Sequence, residues 1–210
     1  MKRIIFLLLG ITLLVILSTC RKEHVAPINQ LVKDLFCFKE GSEWTYYDSV
    51  SQTTQKMVVT SFEILKSASM PKGGRKAYNF AEYIKMEIIV GDSKKEIRLE
   101  ADEDQDNTLR KELSYIYPPI GKPLSIGCDE NNNFAPTATY LSTHTINETT
   151  YSDVYVFNDV KNITIGDIVY VDNFTYYISK HIGFIRCIYQ CEYSENYSFD
   201  WILINKNVQQ

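Results

Sequence analysis

The stretch Tyr151-Ser152-Asp153-Val154-Tyr155-Val156-Phe157 decides the fold class of this sequence. Its side chains alternate with a period of two, so the odd-numbered residues are expected on one face of a strand and Val154 and Val156 on the other. Both faces carry bulky side chains. Such a strand is typical of a sheet that is packed on both sides, as in a sandwich or a curled barrel.

The sequence on both sides of this stretch is also typical of β-strands. The chain has 15 Tyr, 10 Phe and 2 Trp, and aromatic side chains favour the half-buried surface of a sheet. No segment keeps a helical period over three turns. We predict strands at 44–50, 56–65, 76–90, 96–99, 109–117, 138–146, 152–157, 168–171, 174–180, 184–193 and 198–204. The expected fold is all-β, a mostly antiparallel sandwich or half-open barrel of about ten strands.

Two short segments predict turns between paired strands. Gly91-Asp92-Ser93 separates 76–90 from 96–99 and is typical of a hairpin turn. Gly183 directly precedes the predicted strand 184–193. It is expected to adopt a positive φ, which glycine tolerates better than other residues.

The N-terminus has the features of an export signal. Lys2 and Arg3 precede an apolar run from residue 4 to residue 17, which is 14 residues long and carries no charge. A helix that spans a bilayer needs about 20 apolar residues. The run is therefore too short to span and has the length of a signal-peptide core.

The residues that end this run, Leu17-Ser18-Thr19-Cys20, resemble the lipobox of bacterial lipoproteins. Thr19 departs from the Gly, Ala or Ser that is usual at its position. The resemblance implies that Cys20 becomes a diacylglyceryl cysteine, carries acyl chains such as palmitate, and anchors the mature chain to a membrane. An ordinary secretory signal that is cleaved near Ser18 is the alternative.

Two further patterns resemble uncharacterised lipoproteins of the Bacteroidetes. They are Gly41-x-x-Trp44-x-Tyr46 near the start of the mature chain and Tyr176-Tyr177 followed by Gly183-Phe184-Ile185 near its end. This resemblance implies a compartment and a β architecture, but no activity. Arg21 stands where Asp favours retention in the inner membrane, which implies the outer membrane, on either its periplasmic or its surface-exposed face.

These features divide the chain into three segments. We predict a lipoprotein signal peptide at 1–19, a lipidated tether at 20–40 and a single all-β domain at 41–210. Within the tether, residues 31–36 fit either one helical turn or a docked extended segment.

The mature chain is mildly acidic. Removal of residues 1–19 leaves 20 basic and 26 acidic residues, a net charge of −6. Because the chain has no basic block, its charge argues against a nucleic-acid partner and against attraction to anionic lipid. The expected partners are the membrane, through the lipid, and an envelope protein or a glycan.

Four cysteines besides Cys20 fit an oxidising compartment. Cys187 and Cys191 lie four residues apart in one predicted strand, where their Cα atoms would be about 13 Å apart. A disulfide allows at most about 7 Å between Cα atoms. We therefore expect each of them to pair outward, one with Cys37 and the other with Cys128. Four buried thiols are the alternative.

Alternating carboxylates at Asp102, Asp104 and Asp106 resemble the first half of a calcium-binding loop. Asn107 stands where glycine makes the bend, and position 12 is Leu113 instead of an acid. An exposed acidic hairpin tip is the favoured interpretation, and no cofactor is expected.

The sequence has none of the usual catalytic motifs. It lacks a Gly-x-Ser-x-Gly elbow, a His-Glu-x-x-His pair and a glycine-rich phosphate loop. Trp44 and Trp201 are expected in the core or at a sheet edge, and His181 at the surface or in a turn. Asp48-Ser49-Val50 resembles the short O-glycosylation signal of exported Bacteroidetes proteins.

We therefore predict a non-enzymatic envelope module that binds a ligand or a partner protein. A structural accessory subunit of an envelope complex and a glycan-active hydrolase are the alternatives. A deep aromatic cavity would favour ligand binding, an exposed strand edge would favour partner docking, and converging catalytic side chains would favour an enzyme.

Overall fold

The structure is a computed structural model that describes residues 25–68, 80–101, 113–116, 124–128, 131–135, 137–165, 168–191 and 198–210. These residues form thirteen strands and one helix, α1 (Gln30–Phe36). The strands are β1 (Val25–Ala26), β2 (Glu43–Asp48), β3 (Thr53–Ala68), β4 (Phe80–Val90), β5 (Ser93–Glu100), β6 (Leu113–Ile116), β7 (Leu124–Cys128), β8 (Phe134–Ala135), β9 (Ala138–Ile146), β10 (Thr149–Ile165), β11 (Ile168–Ser179), β12 (Gly183–Cys191) and β13 (Phe199–Asn207).

All thirteen strands belong to one sheet, with the order β8-β7-β6-β5-β4-β3-β2-β13-β12-β11-β10-β9, and with β1 beside β4. Every pairing is antiparallel except that of β1 with β4, which is parallel. The prediction of an all-β, mostly antiparallel fold is confirmed. The sequence analysis did not predict β1, β7 or β8, of which β1 and β8 have only two residues each and are too short to show a period. It gave β11 as two separate strands, 168–171 and 174–180.

The strand order divides the sheet into two meanders, β2 to β8 and β9 to β13. In each meander consecutive strands pair with each other, and β2 pairs with β13 to join the two. Asp200 N donates a hydrogen bond of 2.9 Å to Asp48 Oδ1 across this junction, although the two residues are 152 positions apart.

The sheet is open and does not close into a barrel. It nevertheless curls until side chains from its two ends meet. The ring of Phe134 in β8 lies 5.2 Å from the ring of Phe157 and 5.6 Å from the ring of Tyr155, both in β10. Of the two predicted architectures, a sandwich and a half-open barrel, the open sheet is thus the sandwich-like one.

The core fills the concave side of this curled sheet. Trp44 and Tyr46 in β2 are almost fully buried, and both are held by cross-sheet hydrogen bonds. Trp44 Nε1 donates to the carbonyl of Ile182 at 2.6 Å, and the Tyr46 hydroxyl donates to the carbonyl of Phe184 at 3.0 Å. Trp201 is also buried. The prediction that both tryptophans are core residues is confirmed.

The segment that we interpreted as the end of the tether is packed into this core. Asn29 caps α1 by accepting a hydrogen bond from Leu31 N at 2.7 Å. The helix then buries Val32, Leu35 and Phe36 against the sheet. Of the two conformations considered for 31–36, the helical one is formed. The described fold thus begins at Val25, ahead of the predicted boundary at residue 41. No helix in the described part of the chain is long and apolar enough to cross a membrane.

The stretch around Val154 follows the predicted alternation from Val154 onward. Tyr155 and Phe157 pair with Ile178 and Tyr176, and Val156 pairs with Tyr177 on the opposite face. Before this point Asp153 breaks the alternation of side chains within β10, because its φ is +50°.

Gly183 has the predicted positive φ, +89°, and a Cβ there would lie 3.1 Å from Cζ of Phe38. Gly41 has a similar φ of +86°, with open space around it.

We expect Gly41→Ala to lower the free energy of unfolding by about 1–2 kcal/mol, the cost of this backbone conformation. Gly183→Ala should cost more, since it adds a clash. Urea unfolding of both variants measures the difference. Equal losses would show that the contact with Phe38 contributes nothing.

Candidate functional site

Strand β9 is the exposed edge of the second meander. It pairs with β10 from Ala138↔Phe157 to Ile146↔Thr149, and no strand among the described residues pairs with its other side. Its outward backbone N–H and C=O groups therefore form a row that another strand could use.

The composition of β9 leaves this edge unprotected. Natural edge strands are commonly blocked by charged side chains, by proline or by being very short. The sequence Ala-Thr-Tyr-Leu-Ser-Thr-His-Thr-Ile contains no charged residue and no proline, and it is nine residues long. The strand at the other end of the sheet, β8, has only two residues. The two ends of the sheet thus differ in their capacity to accept a partner strand.

One large side chain projects from this edge. Tyr140 is 53% exposed, and its hydroxyl donates a hydrogen bond of 2.7 Å to Asp153 Oδ1. This bond to a carboxylate raises the pKa of Tyr140. The ring also lies 5.2 Å from that of Tyr155. The positive φ of Asp153 places its carboxylate where it can hold the tyrosine in position.

The face of the sheet opposite α1 carries a row of directly paired side chains that leads toward β9. Arg186 is at its centre and forms a bidentate pair with Asp200, with Nε–Oδ1 and Nη2–Oδ2 distances of 2.8 and 2.7 Å. His144 from β9 stacks on Tyr177, with ring centroids 4.9 Å apart. The row consists of Tyr47, Ile202, Arg186, Tyr177, Val156 and Thr139. The charged group of Arg186 is thus paired with Asp200, and the ring of Tyr177 is covered on one side by His144.

The structure contains a small cavity between α1 and the sheet. Its volume is about 20 Å³, and apolar side chains such as Phe36, Phe38, Trp44 and Met86 line it. Such a volume holds about one water molecule, and a cavity with apolar walls usually stays dry. This cavity is a packing defect of the core and is too small to bind a ligand.

The predicted site residues fall into two groups. Cys20 and the acidic residues Asp102, Asp104 and Asp106 lie outside the described residues, so their proposed roles stay predictions. The four remaining cysteines, Cys37, Cys128, Cys187 and Cys191, are described, and their sulfurs are present as thiols. The predicted pairing of Cys187 and Cys191 with Cys37 and Cys128 is therefore not formed in this structure.

Packing accounts for the state of these thiols. Cys187 is fully buried and stands directly opposite Trp201 in the sheet, so that it fills space in the core. Burial raises the pKa of Cys187 well above its ordinary value. Burial also raises the pKa of Cys37 to about 11, and Lys33 offsets this only in part. Both thiols stay protonated at neutral pH, which makes them poor nucleophiles.

His181 and Ser49 are both at the surface. His181 is an exposed turn residue with a φ of +61°, as predicted, and its N–H donates to the carbonyl of Asp34 at 2.7 Å. Ser49 is exposed in the turn between β2 and β3, and its N–H donates to the carbonyl of Asp200. The side chain of Ser49 is accessible for modification, and its glycosylation stays a prediction.

Asp48 holds this turn in place. Its buried carboxylate accepts hydrogen bonds from Val50 N at 3.1 Å, from Ser51 N at 3.2 Å and from Asp200 N at 2.9 Å. Burial alone raises the pKa of Asp48, but the hydrogen bonds from Ser51, Asp200 and Val50 outweigh burial, so the pKa lies below its ordinary value.

The predicted strand at 138–146 coincides with β9, but the sequence does not predict that this strand is an edge. The absence of charge over these nine residues was the available signal. A strand becomes an edge only through the pairing of the whole sheet, and no local pattern records that.

No protein-family model matches the chain, and no curated protein matches it. Among solved structures, the crystal structure of a candidate lipoprotein from Parabacteroides distasonis is similar. The identity is 11%, the match covers 82% of this chain and 99% of that chain, and the TM-score is 0.40. At this score the similarity supports no inference about this chain.

The hydrogen bonds of Asp48 predict an acid-dependent contribution to stability. Because its folded pKa lies below the unfolded value of about 3.9, the contribution is present above that pH and is lost as pH falls through the folded pKa. We expect Asp48→Asn to lower the unfolding free energy at pH 7 by about 1–3 kcal/mol. The difference in unfolding free energy between variant and wild type should become smaller below pH 4. Urea titrations at several pH values measure this difference. A gap that is constant with pH would contradict the assignment.

The number of cysteines that are present as thiols can be measured directly. We expect the mature protein, denatured without reductant, to react with a thiol reagent at all four of Cys37, Cys128, Cys187 and Cys191. In the native protein Cys187 should be unreactive, because it is fully buried. Mass spectrometry of alkylated peptides reads both states, and a count of zero or two in the denatured protein would restore a disulfide.

Proposed function

We propose that this chain is a lipid-anchored envelope protein whose β domain is non-enzymatic and binds an extended segment of a partner protein at strand β9. The partner segment adds to the sheet as a further antiparallel or parallel strand. The observation that carries this proposal is the free, uncharged, nine-residue edge of β9.

Strand addition uses the groups that β9 leaves open. In an edge strand, roughly every second residue directs its backbone N–H and C=O away from the neighbouring strand. Each new backbone hydrogen bond contributes about 0.5–1.5 kcal/mol net. The bonds give affinity, and pockets for alternate side chains give specificity. Tyr140, which is exposed and held by Asp153, is the side chain best placed to provide that specificity.

Three observations favour a protein partner over the alternatives. The cavity between α1 and the sheet is too small for a ligand. The thiols of Cys37 and Cys187 are protonated and buried or half-buried, which argues against their use in catalysis. The rings of His144 and Tyr177 stack on each other, so that each covers one face that a sugar would need.

The anchor part of the proposal rests on Cys20 and on the charge that follows it. We propose that the mature chain is held at the outer membrane by its acyl chains, on the periplasmic or the surface-exposed face. Two or three acyl chains are enough for stable anchoring, whereas one chain alone is marginal.

The edge can be tested with a matched pair of lysine substitutions. Thr143 lies exposed in β9, and Thr54 lies exposed in β3 of the other meander, where it pairs with Tyr47 of β2. We expect Thr143→Lys to abolish partner binding, since a charge on an edge strand opposes strand addition. Thr54→Lys makes the same chemical change in a strand remote from β9 along the sheet and should leave binding intact.

The measurement is photo-crosslinking in the native envelope from a photoreactive amino acid placed at Ser142, which is exposed in β9 and leaves Tyr140 unchanged. The expected result is an adduct that disappears with Thr143→Lys and persists with Thr54→Lys. An adduct that survives Thr143→Lys, or that both substitutions remove, would rule out strand addition at β9.

A further inference from the structure

The chain enters the fold at a defined place and in a defined direction. β1 pairs with the beginning of β4, through Val25↔Phe80 and Ala26↔Ala81, and the pairing is parallel. β1 therefore runs in the same direction as β4, and its amino-terminal residue, Val25, lies at the end of the sheet at which β4 begins. β3 ends at the same place, because Ala68 pairs with Phe80.

Burial and polar contacts hold β1 and the residues that follow it against β4. Ala26 and Ile28 are each only 3% exposed. The carboxylate of Glu82 in β4 accepts a hydrogen bond from Ile28 N at 2.8 Å and forms an ion pair with Lys33 of α1 at 2.6 Å. The first described residues thus cannot swing to another side of the domain without breaking these contacts.

The distance from the lipid to this point is short. Cys20 is five residues before Val25, and five residues span at most about 18 Å when fully extended. β3 has sixteen residues and is about 50 Å long. A bilayer that holds the lipid on Cys20 can therefore lie near the Ala68 end of β3 but not near its Thr53 end.

The same end of β3 exposes two adjacent large apolar side chains. Ile64 is 60% exposed and Leu65 is 42% exposed, and they lie on opposite faces of the strand. The other large apolar side chains that are exposed in the described residues occur singly, which is normal for a protein surface. They are Val50, Ile89, Tyr140, Val160 and Ile204. Glu63 and Lys66 flank the pair with opposite charges, so the patch carries no net charge.

We propose that the end of β3 that carries Ile64 and Leu65 contacts the bilayer in which the lipid on Cys20 is anchored. This inference rests on the proposed lipid anchor. The domain stands on the membrane with the β3–β4 end down, and the two side chains enter the interface between headgroups and acyl chains. The contact fixes the orientation of the domain, which a tether alone would leave variable.

Tryptophan fluorescence in vesicles tests this orientation. The lipidated full-length mature protein is placed in phosphatidylcholine vesicles, with or without brominated acyl chains that quench nearby indoles. Leu65→Trp is compared with Val50→Trp, because Val50 is 54% exposed in the turn before β3, about 40 Å away along the strand. The native Trp44 and Trp201 are buried and supply a constant background. Ile64→Trp serves as the second variant if Leu65→Trp does not fold.

We expect brominated lipid to quench the added fluorescence of Leu65→Trp and to leave that of Val50→Trp unchanged. Quenching at position 50 alone, at both positions equally, or at neither position would overturn the inference, and the anchor would stand if the intact mass carries the lipid. An intact mass without the lipid would overturn the proposed anchor, and this inference with it.

Discussion

The backbone pairing of β2 with β13 is the constraint on which the rest of this structure depends. All the other antiparallel neighbours in the sheet are consecutive in the chain. This one pairing joins the two meanders, and it brings together residues about 150 positions apart. Closing so long a loop costs conformational entropy before the contact contributes stability, so we expect the meanders to form first and the junction to form late.

Buried side chains of β2 reinforce this junction. Asp48 bonds to Asp200 N, and Trp44 and Tyr46 reach over to the carbonyls of Ile182 and Phe184. These residues belong to the first and the last described parts of the sheet. The concave core can close over α1 only when they meet.

The strands were largely predictable from the sequence because their signals are local. The alternation near Val154, the turn at Gly183 and the bounds of β9 all follow from side chains a few residues apart. α1 was left undecided because seven residues are too few to show a helical period, and its burial against the sheet stabilises it. The edge position of β9 depends on the strand order, which local patterns do not contain.

The cysteines illustrate the same limit. An even count of thiols in an exported chain favours disulfides, and that rule ignores what each sulfur packs against. Cys187 stands opposite Trp201 and beside Tyr176 in adjacent strands, where its volume is needed in the core. Such contacts join distant parts of the chain, and the count of cysteines does not contain them.

The parallel pairing of β1 with β4 also determines how mechanical load would enter the domain. A pull on the amino-terminal end of Val25 acts along the axis of β1, because β1 runs parallel to the beginning of β4. A force along a strand loads its interstrand hydrogen bonds together instead of opening them one after another. The bonds of Glu82 to Ile28 and Lys33 share that load. The start of the domain, to which the proposed anchor would connect, is thus loaded in shear, the geometry in which a small number of hydrogen bonds resists the largest force.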